Sequence, residues 1–199
     1  MDTYEGVPDH ELWHRAAGRD GAAFGKLFER HSRAVYNHCF RRTGKWSDAE
    51  ELTAAVFAEA WRLRRRTKLD SDDILPWLLA VANNLIRNQS RSLARHQKFL
   101  MKLPAPADVA DFGDEAARRL DSERQMAEVL AVVSSLRVEE QEVLSLCDWA
   151  ELDYAQAATA LGIPVGTVRS RLSRARAHLR QRLTTDNRSS QVVLWRVPL

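Results

Sequence analysis

Apolar side chains recur along most of this chain at intervals of three and four residues, the spacing of a helix with one buried face. No run alternates β-branched residues as a half-buried strand would, so the expected fold is all-α. The pattern predicts helices over residues 11–17, 22–41, 47–65 and 74–95. Between residues 99 and 122 the period lapses. Pro104, Pro106 and Gly113 interrupt the chain there, and Asp108, Asp111, Asp114 and Glu115 make it acidic, which is linker composition. A second helical unit follows over residues 123–183, and residues 184–199 form a polar tail with an apolar strip at 192–195. The expected organisation is two small helical domains, at 8–98 and 123–183, joined by a flexible acidic linker at 99–122 and followed by the tail.

The second unit has the sharper local signals. Asp153 and Gln156 have the spacing of a capping box, which predicts a helix over residues 154–161. Gly162 supplies a turn residue able to take positive φ, and Pro164 stands just before the next helix. Ala158, Gly162 and Val168 fall at the spacing of a helix-turn-helix: a small residue where two helices cross, glycine in the turn, and a β-branched residue packing the second helix on the first. In that second helix Val165, Val168, Leu172, Ala175 and Leu179 make one apolar stripe, expected to face the core. The opposite side carries Arg169, Ser170, Ser173, Arg174, Ala177 and Arg180, with Arg176 at its edge. Such a face suits a major groove, since arginines bond guanine edges or phosphates and serines allow close approach. A merely solvated basic face is the plainer alternative. The turn motif and the acid-free arginine set occurring together weigh against it.

In the first unit, the helix expected over residues 74–95 places Leu78, Ala82, Leu85, Ile86 and Leu93 on one side and Asn84, Arg87, Asn88, Arg91 and Arg95 on the other. Asparagine beside arginine is chemistry for base edges and phosphates. Trp77, near the helix start, is placed with the core in preference to stacking on a base. Residues 67–73 read as a polar loop, with Asp72 or Asp73 capping the helix ahead of Pro76. Over residues 47–61, Asp48, Glu50 and Glu51 load the first turn with negative charge, favourable to the helix dipole, ahead of apolar Leu52, Val56 and Trp61.

Charge changes the picture more through its distribution than its total. The 199 residues carry a net charge of +3. Residues 74–107 hold Arg87, Arg91, Arg95, Lys98 and Lys102 and no acid, and residues 162–183 hold six arginines and no acid. Two separated basic surfaces fit a long polyanion touched at two places. A composition of 45% hydrophobic and 29% charged residues is that of soluble globular material. The longest uncharged apolar stretch, 74–86, contains Pro76, Asn83 and Asn84 and is far short of the roughly 20 residues a bilayer needs, so no membrane insertion is expected. The segment MDTYEGVPDHELWHR has no basic stretch leading into an apolar run, so the expected location is cytoplasmic. Cys39 and Cys147, without CxxC spacing, fit a reducing compartment.

One motif points elsewhere. His10-Glu11-Leu12-Trp13-His14 is a literal H-E-x-x-H, which on a helix would place both imidazoles on one face for zinc, with Glu11 as general base. A metalloprotease needs a third ligand and a cleft, and no metzincin spacing follows His14, so neither a metal nor a catalytic residue is expected. A conventional helix-turn-helix regulator, binding duplex DNA without polymerase, is the alternative kept open, although its sensor domain would usually bring strands. A protein that only binds and inhibits another, or a scaffold, leaves two basic faces unexplained.

These segments resemble the sigma factors of bacterial RNA polymerase, in their extracytoplasmic-function branch. DGAAFGKLFERHSRAVY (20–36) and DAEELTAAVFAEAW (48–61) look like the start of family region 2, and PWLLAVANNLIRNQSR (76–91) resembles its promoter-melting helix. The stretch from 136 to 179 is similar to region 4, with PVGTVRSRLSRAR its most diagnostic part. The resemblance implies that Asp48, Glu50, Glu51, Leu52 and Phe57 lie on the surface that docks on the clamp helices of the largest subunit of core RNA polymerase. It implies that the loop 67–73 with Asn84, Arg87, Asn88 and Arg91 recognises the downstream promoter element and captures a base flipped from the melted non-template strand. Arg169, Ser170, Ser173 and Arg174 would read the upstream element as duplex, with Arg171 and Arg176 mainly on phosphates, and the acidic linker would thread toward the polymerase cleft. Strand separation needs no catalytic residue, because base capture offsets an unstacking cost of a few kcal/mol per step. No cofactor is implied, and an anti-sigma factor is a family-level expectation. The chain departs from the family at Ala54 and Ala55, where a polar-acidic pair is common.

Overall fold

The four amphipathic stretches of the first unit form helices because each places one apolar stripe where the others can cover it. The computed structural model describes residue 4 and residues 6–69, 72–100 and 114–185, with backbone alone described at 90–100, 114–117 and 183–185. The expected linker residues 101–113 and tail residues 186–199 lie outside the described residues. Helix α1 (Asp9–Ala17) leads to α2 (Gly21–Thr43), α3 (Trp46–Leu63) and α4 (Leu75–Leu100), and no strand occurs among the described residues. The Asp20 carboxylate starts α2 by accepting the Ala23 N–H at 3.0 Å. Gly44 ends it with φ 73°, its N–H returning to the Phe40 carbonyl, so the chain turns straight into α3. Leu12, Leu27, Val35, Phe40, Val56, Ile74, Leu78 and Leu79 fill the space between these helices.

The second unit comprises α5 (Asp114–Val133), α6 (Val138–Leu144), a π-helical turn (Ser145–Trp149), α7 (Tyr154–Leu161) and α8 (Val165–Thr185). Helix α5 begins inside the stretch expected as linker. Its acids stand at a helix start, where the dipole favours them, and good helix formers follow, so the composition that reads as linker serves equally as a helix beginning. The capping box forms as expected: Asp153 Oδ1 accepts the Gln156 N–H at 2.8 Å and Gln156 Oε1 accepts the Asp153 N–H at 3.0 Å. Gly162 takes φ 64° between α7 and α8. Val168, Leu172, Ala175 and Leu179 are buried against α6 and α7, but Val165 is exposed. It is the first residue of α8, beside exposed Pro164 and Gly166, so the stripe starts one turn later than its period implies. The units touch: α4 packs on α7, and α2 on the π-helical turn and α5, in one continuous apolar core.

Between α2 and α4 lies a buried polar pair. His38 Nε2 is 3.0 Å from Asn83 Oδ1, while His38 Nδ1 and Asn83 Nδ2 have no partner. Burial pushes the His38 imidazole down to about 4, with Arg41 and Arg42 acting in the same direction and Asn83 opposing. The unfolded chain, with a usual value near 6.5, therefore binds more protons between those limits. His38 contributes stability that is complete above about pH 6.5 and is lost as pH falls toward 4, amounting to about 3 kcal/mol. Denaturant melts at pH 7 and pH 4 check this, and His38→Gln is expected to flatten the slope across that window.

Candidate nucleic-acid interface

Helix α8 presents its polar side outward. Arg169, Ser170, Ser173, Arg174, Ala177 and Arg180 are all exposed, because the buried positions of the same helix are taken by the face packed on α6 and α7. The Arg169 guanidinium lies 5.6 Å from the Tyr154 ring centre, and Arg174 Nε donates to the Ser170 carbonyl at 3.2 Å. Arg171 is half-buried. Arg176 donates through Nε at 3.2 Å and through Nη2 to the carboxylate of Asp148 on the π-helical turn. That ion pair raises its pKa further and ties α8 to the turn.

On α4, Asn84 and Asn88 are exposed and Leu78, Ala82 and Ile86 are buried, as the period of that helix requires. The side chains of Arg91 and Arg95 lie outside the described residues, as does that of Leu93. Arg87 is half-buried and donates through Nε at 3.0 Å, and also through Nη2, to Glu142 Oε1 of α6. Trp77 packs edge-on against Trp13 with ring centres 5.2 Å apart, which places it with the core.

The loop before α4 is held from two sides. Trp13 Nε1 donates to the Thr67 carbonyl at 3.0 Å, and Asp73 Oδ1 accepts the Leu75 N–H at 2.8 Å, so Asp73 is the capping residue. Asp9 accepts from Arg30 Nη1 at 2.9 Å and from the Ile74 N–H at 3.3 Å, and lies 2.6 Å from His31 Nε2. Burial alone would raise the pKa of Asp9, but His31, Arg30 and the Ile74 amide together hold it below the usual carboxylate value. Asp9, His31 and Asp73 stand close enough to gather round a cation. The Asp9 oxygens are already engaged by a guanidinium and an amide, which makes this a structural node. Of the H-E-x-x-H residues, His10 Nδ1 lies 2.7 Å from Asp72, Glu11 pairs with Arg15, Leu12 and Trp13 are buried, and His14 is exposed.

On α3, Glu50 and Glu51 are exposed and Asp48 is half-buried. Leu52 and Phe57 are not on that surface. Each is 5% exposed, on the stripe shared with Ala49, Val56 and Ala60 that faces α2 and α4. Phe57 instead supports Phe28 from beneath, ring centres 4.8 Å apart, and Phe28 is 45% exposed. Phe28 escaped the sequence reading, although an aromatic on the polar side of α2 is a usable signal.

Two family models match, sigma-70 region 2 over residues 27–96 and sigma-70 region 4 over residues 126–179. The RNA polymerase sigma factor NccH of Alcaligenes xylosoxydans xylosoxydans is 31% identical over 186 residues, covering 92% of this chain and 97% of that protein. The ECF RNA polymerase sigma factor SigC of Mycobacterium tuberculosis is 31% identical over 155 residues, 76% of this chain and 80% of that one. The solved structure of CnrH in complex with the cytosolic domain of CnrY aligns with a TM-score of 0.68 at 25% identity, over 89% of this chain and 98% of that one. With both regions matched in order on a two-unit helical fold, the chain belongs to the extracytoplasmic-function sigma factors, which bind core RNA polymerase and promoter DNA and direct transcription initiation.

Proposed function

We propose that region 2 spans residues 8–98 and region 4 residues 123–183, joined by residues 99–122, and that each reads one promoter element. In this reading Arg169, Ser170, Ser173 and Arg174 contact base edges of the upstream element, and Arg171 and Arg176 contact phosphates. The observation that carries it is the exposed, acid-free polar face of α8, set on the second helix of a helix-turn-helix by a left-handed glycine. Arg176 keeps Asp148 while it does so, acting as a positioned charge. Asn84, Arg87, Asn88 and Arg91 serve the downstream element. Asp48, Glu50 and Glu51 meet the polymerase clamp helices over the apolar support of Leu52 and Phe57. The chain has no catalysis of its own and works in the cytoplasm. By likeness to CnrH, solved with the cytosolic domain of CnrY, an inhibitory protein partner belongs to the same reading.

Transcription by core polymerase from a pool of random promoter templates, with and without the chain, tests this. Start sites that need the chain and share two motifs at fixed spacing are expected. Arg174→Ala should lower promoter-dependent transcription by about 1 to 3 kcal/mol equivalent and relax choice at one upstream position. An equal loss on every promoter variant would make Arg174 a phosphate contact. Asn84→Ala should weaken opening of the downstream element and leave duplex binding upstream intact. Unchanged permanganate footprints would remove Asn84 from the site.

A further inference from the structure

Tyr154 opens α7 and contributes little to its packing: it is 37% exposed, and the buried residues of that helix are Ala157 and Ala158. Its backbone is fixed all the same, because the capping box between Asp153 and Gln156 closes around it. What its side chain touches lies on α8. The Arg169 guanidinium stands over the ring, 5.6 Å from its centre and within reach of cation–π attraction. The hydroxyl is a hydrogen-bond partner of Arg176, whose pKa is raised first by Asp148 and further by this tyrosine. Asp148, with its side chain 3% exposed, accepts from two nitrogens of Arg176. Arg169 and Arg176 are seven residues apart, two turns along one face and about 10 Å along the axis. One tyrosine of the preceding helix therefore reaches both, and it carries out to the polar face of α8 a line of contacts that begins at a buried carboxylate.

We propose that Tyr154 is a positioning residue for reading the upstream element: its ring holds the Arg169 guanidinium, and its hydroxyl steadies Arg176, in the pose that meets DNA. The proposal rests on the assignment of the outer face of α8 to that element. A guanidinium held through its flat face keeps its N–H donors free in the plane, so contact with the Tyr154 ring leaves Arg169 able to make a two-pronged bond to a guanine edge. An unsupported arginine gives up its rotamer freedom only on binding. One already laid on a ring has given up part of it during folding, so more of the contact appears as affinity for the right base. Arg174 is supported differently, through the Ser170 carbonyl of its own helix. A tyrosine that served only to stabilise the fold would be indifferent to which base pair lies beneath α8, and that difference makes the two roles separable.

The test uses the full chain with core polymerase on promoters that carry every base pair at each upstream position. Tyr154→Ala is expected to raise the concentration of chain needed for half-maximal transcription about fivefold on the preferred promoter. It should also flatten the preference at the same base pair where Arg169→Ala flattens it, and leave the preference set by Arg174 in place. Tyr154→Phe keeps the ring and should preserve the Arg169 preference. In an Arg169→Ala background, Tyr154→Ala should add less than about a twofold loss, because the group it positions is gone. Fully additive losses would show that Tyr154 touches DNA itself. Equal losses on every promoter variant, with a matching fall in a denaturant melt, would make it a stabilising residue only, and Tyr154→Phe as damaging as Tyr154→Ala would remove the ring from the account. Each of these three results overturns the proposal while Arg169 keeps its assignment. If Arg169→Ala leaves every upstream preference unchanged, the reading of Arg169 as a base contact falls and the positioning role falls with it.

Discussion

Asp9→Ala is expected to cost about 1 to 3 kcal/mol of folding stability, because a buried amide loses its acceptor and a partly buried guanidinium loses its acidic partner. Removing the Asp9 carboxylate leaves the Ile74 amide without its acceptor and His31 without its neighbour, and takes from Arg30 its acidic partner, although the guanidinium keeps the carbonyls of Val7 and Tyr4, in a site where Asp9 is 6% exposed. The functional effect should be lopsided. Asp9 joins α1 and α2 to the residue that starts α4, so its loss frees the loop proposed to capture the flipped base. Promoter opening should fall while duplex binding to the upstream element persists. Asp9→Asn keeps one acceptor and should lose less. Denaturant melts beside permanganate footprints give both readouts, and a loss below about 1 kcal/mol would show the node to be dispensable.

Leu172→Ala is expected to destabilise by about 2 to 5 kcal/mol, the range for deleting a fully buried leucine side chain. Leu172 is 1% exposed and lies between Val168 and Ala175 on the buried stripe of α8. A cavity there loosens the seat of the recognition helix, so upstream binding should fall with stability. Leu172→Met preserves volume and should cost under about 1.5 kcal/mol. If Leu172→Ala melted like the parent chain, the stripe would not be the core of region 4.

Legibility in the sequence followed the range of the interaction. The limits of α7, its capping box and the left-handed Gly162 depend on residues within a turn of one another, and the chain states them openly. The exposed face of α8 follows from period alone. The placing of Leu52 and Phe57 needed more, since the acids beside them marked a surface helix without saying which apolar residues its neighbours would cover. The start of α5 was hidden by ambiguity of composition. The pairing of Arg87 with Glu142 was out of reach altogether, because the two residues are 55 positions apart and no periodicity connects them. A basic residue on a polar face reads the same whether its partner is DNA or a distant glutamate of its own chain.

The division of α8 into two faces bears on how such a protein changes over generations. Arg169, Ser170, Ser173 and Arg174 rest on Tyr154, on their own helix or on solvent, whereas the stability of the unit resides in Val168, Leu172, Ala175 and Leu179. Substitutions on the outer face alter stability by within about 0.5 kcal/mol. On the proposed assignment of that face to the upstream element, a duplicated copy can rewrite its promoter preference one residue at a time while every intermediate remains folded, so new regulatory targets are within reach of single mutations.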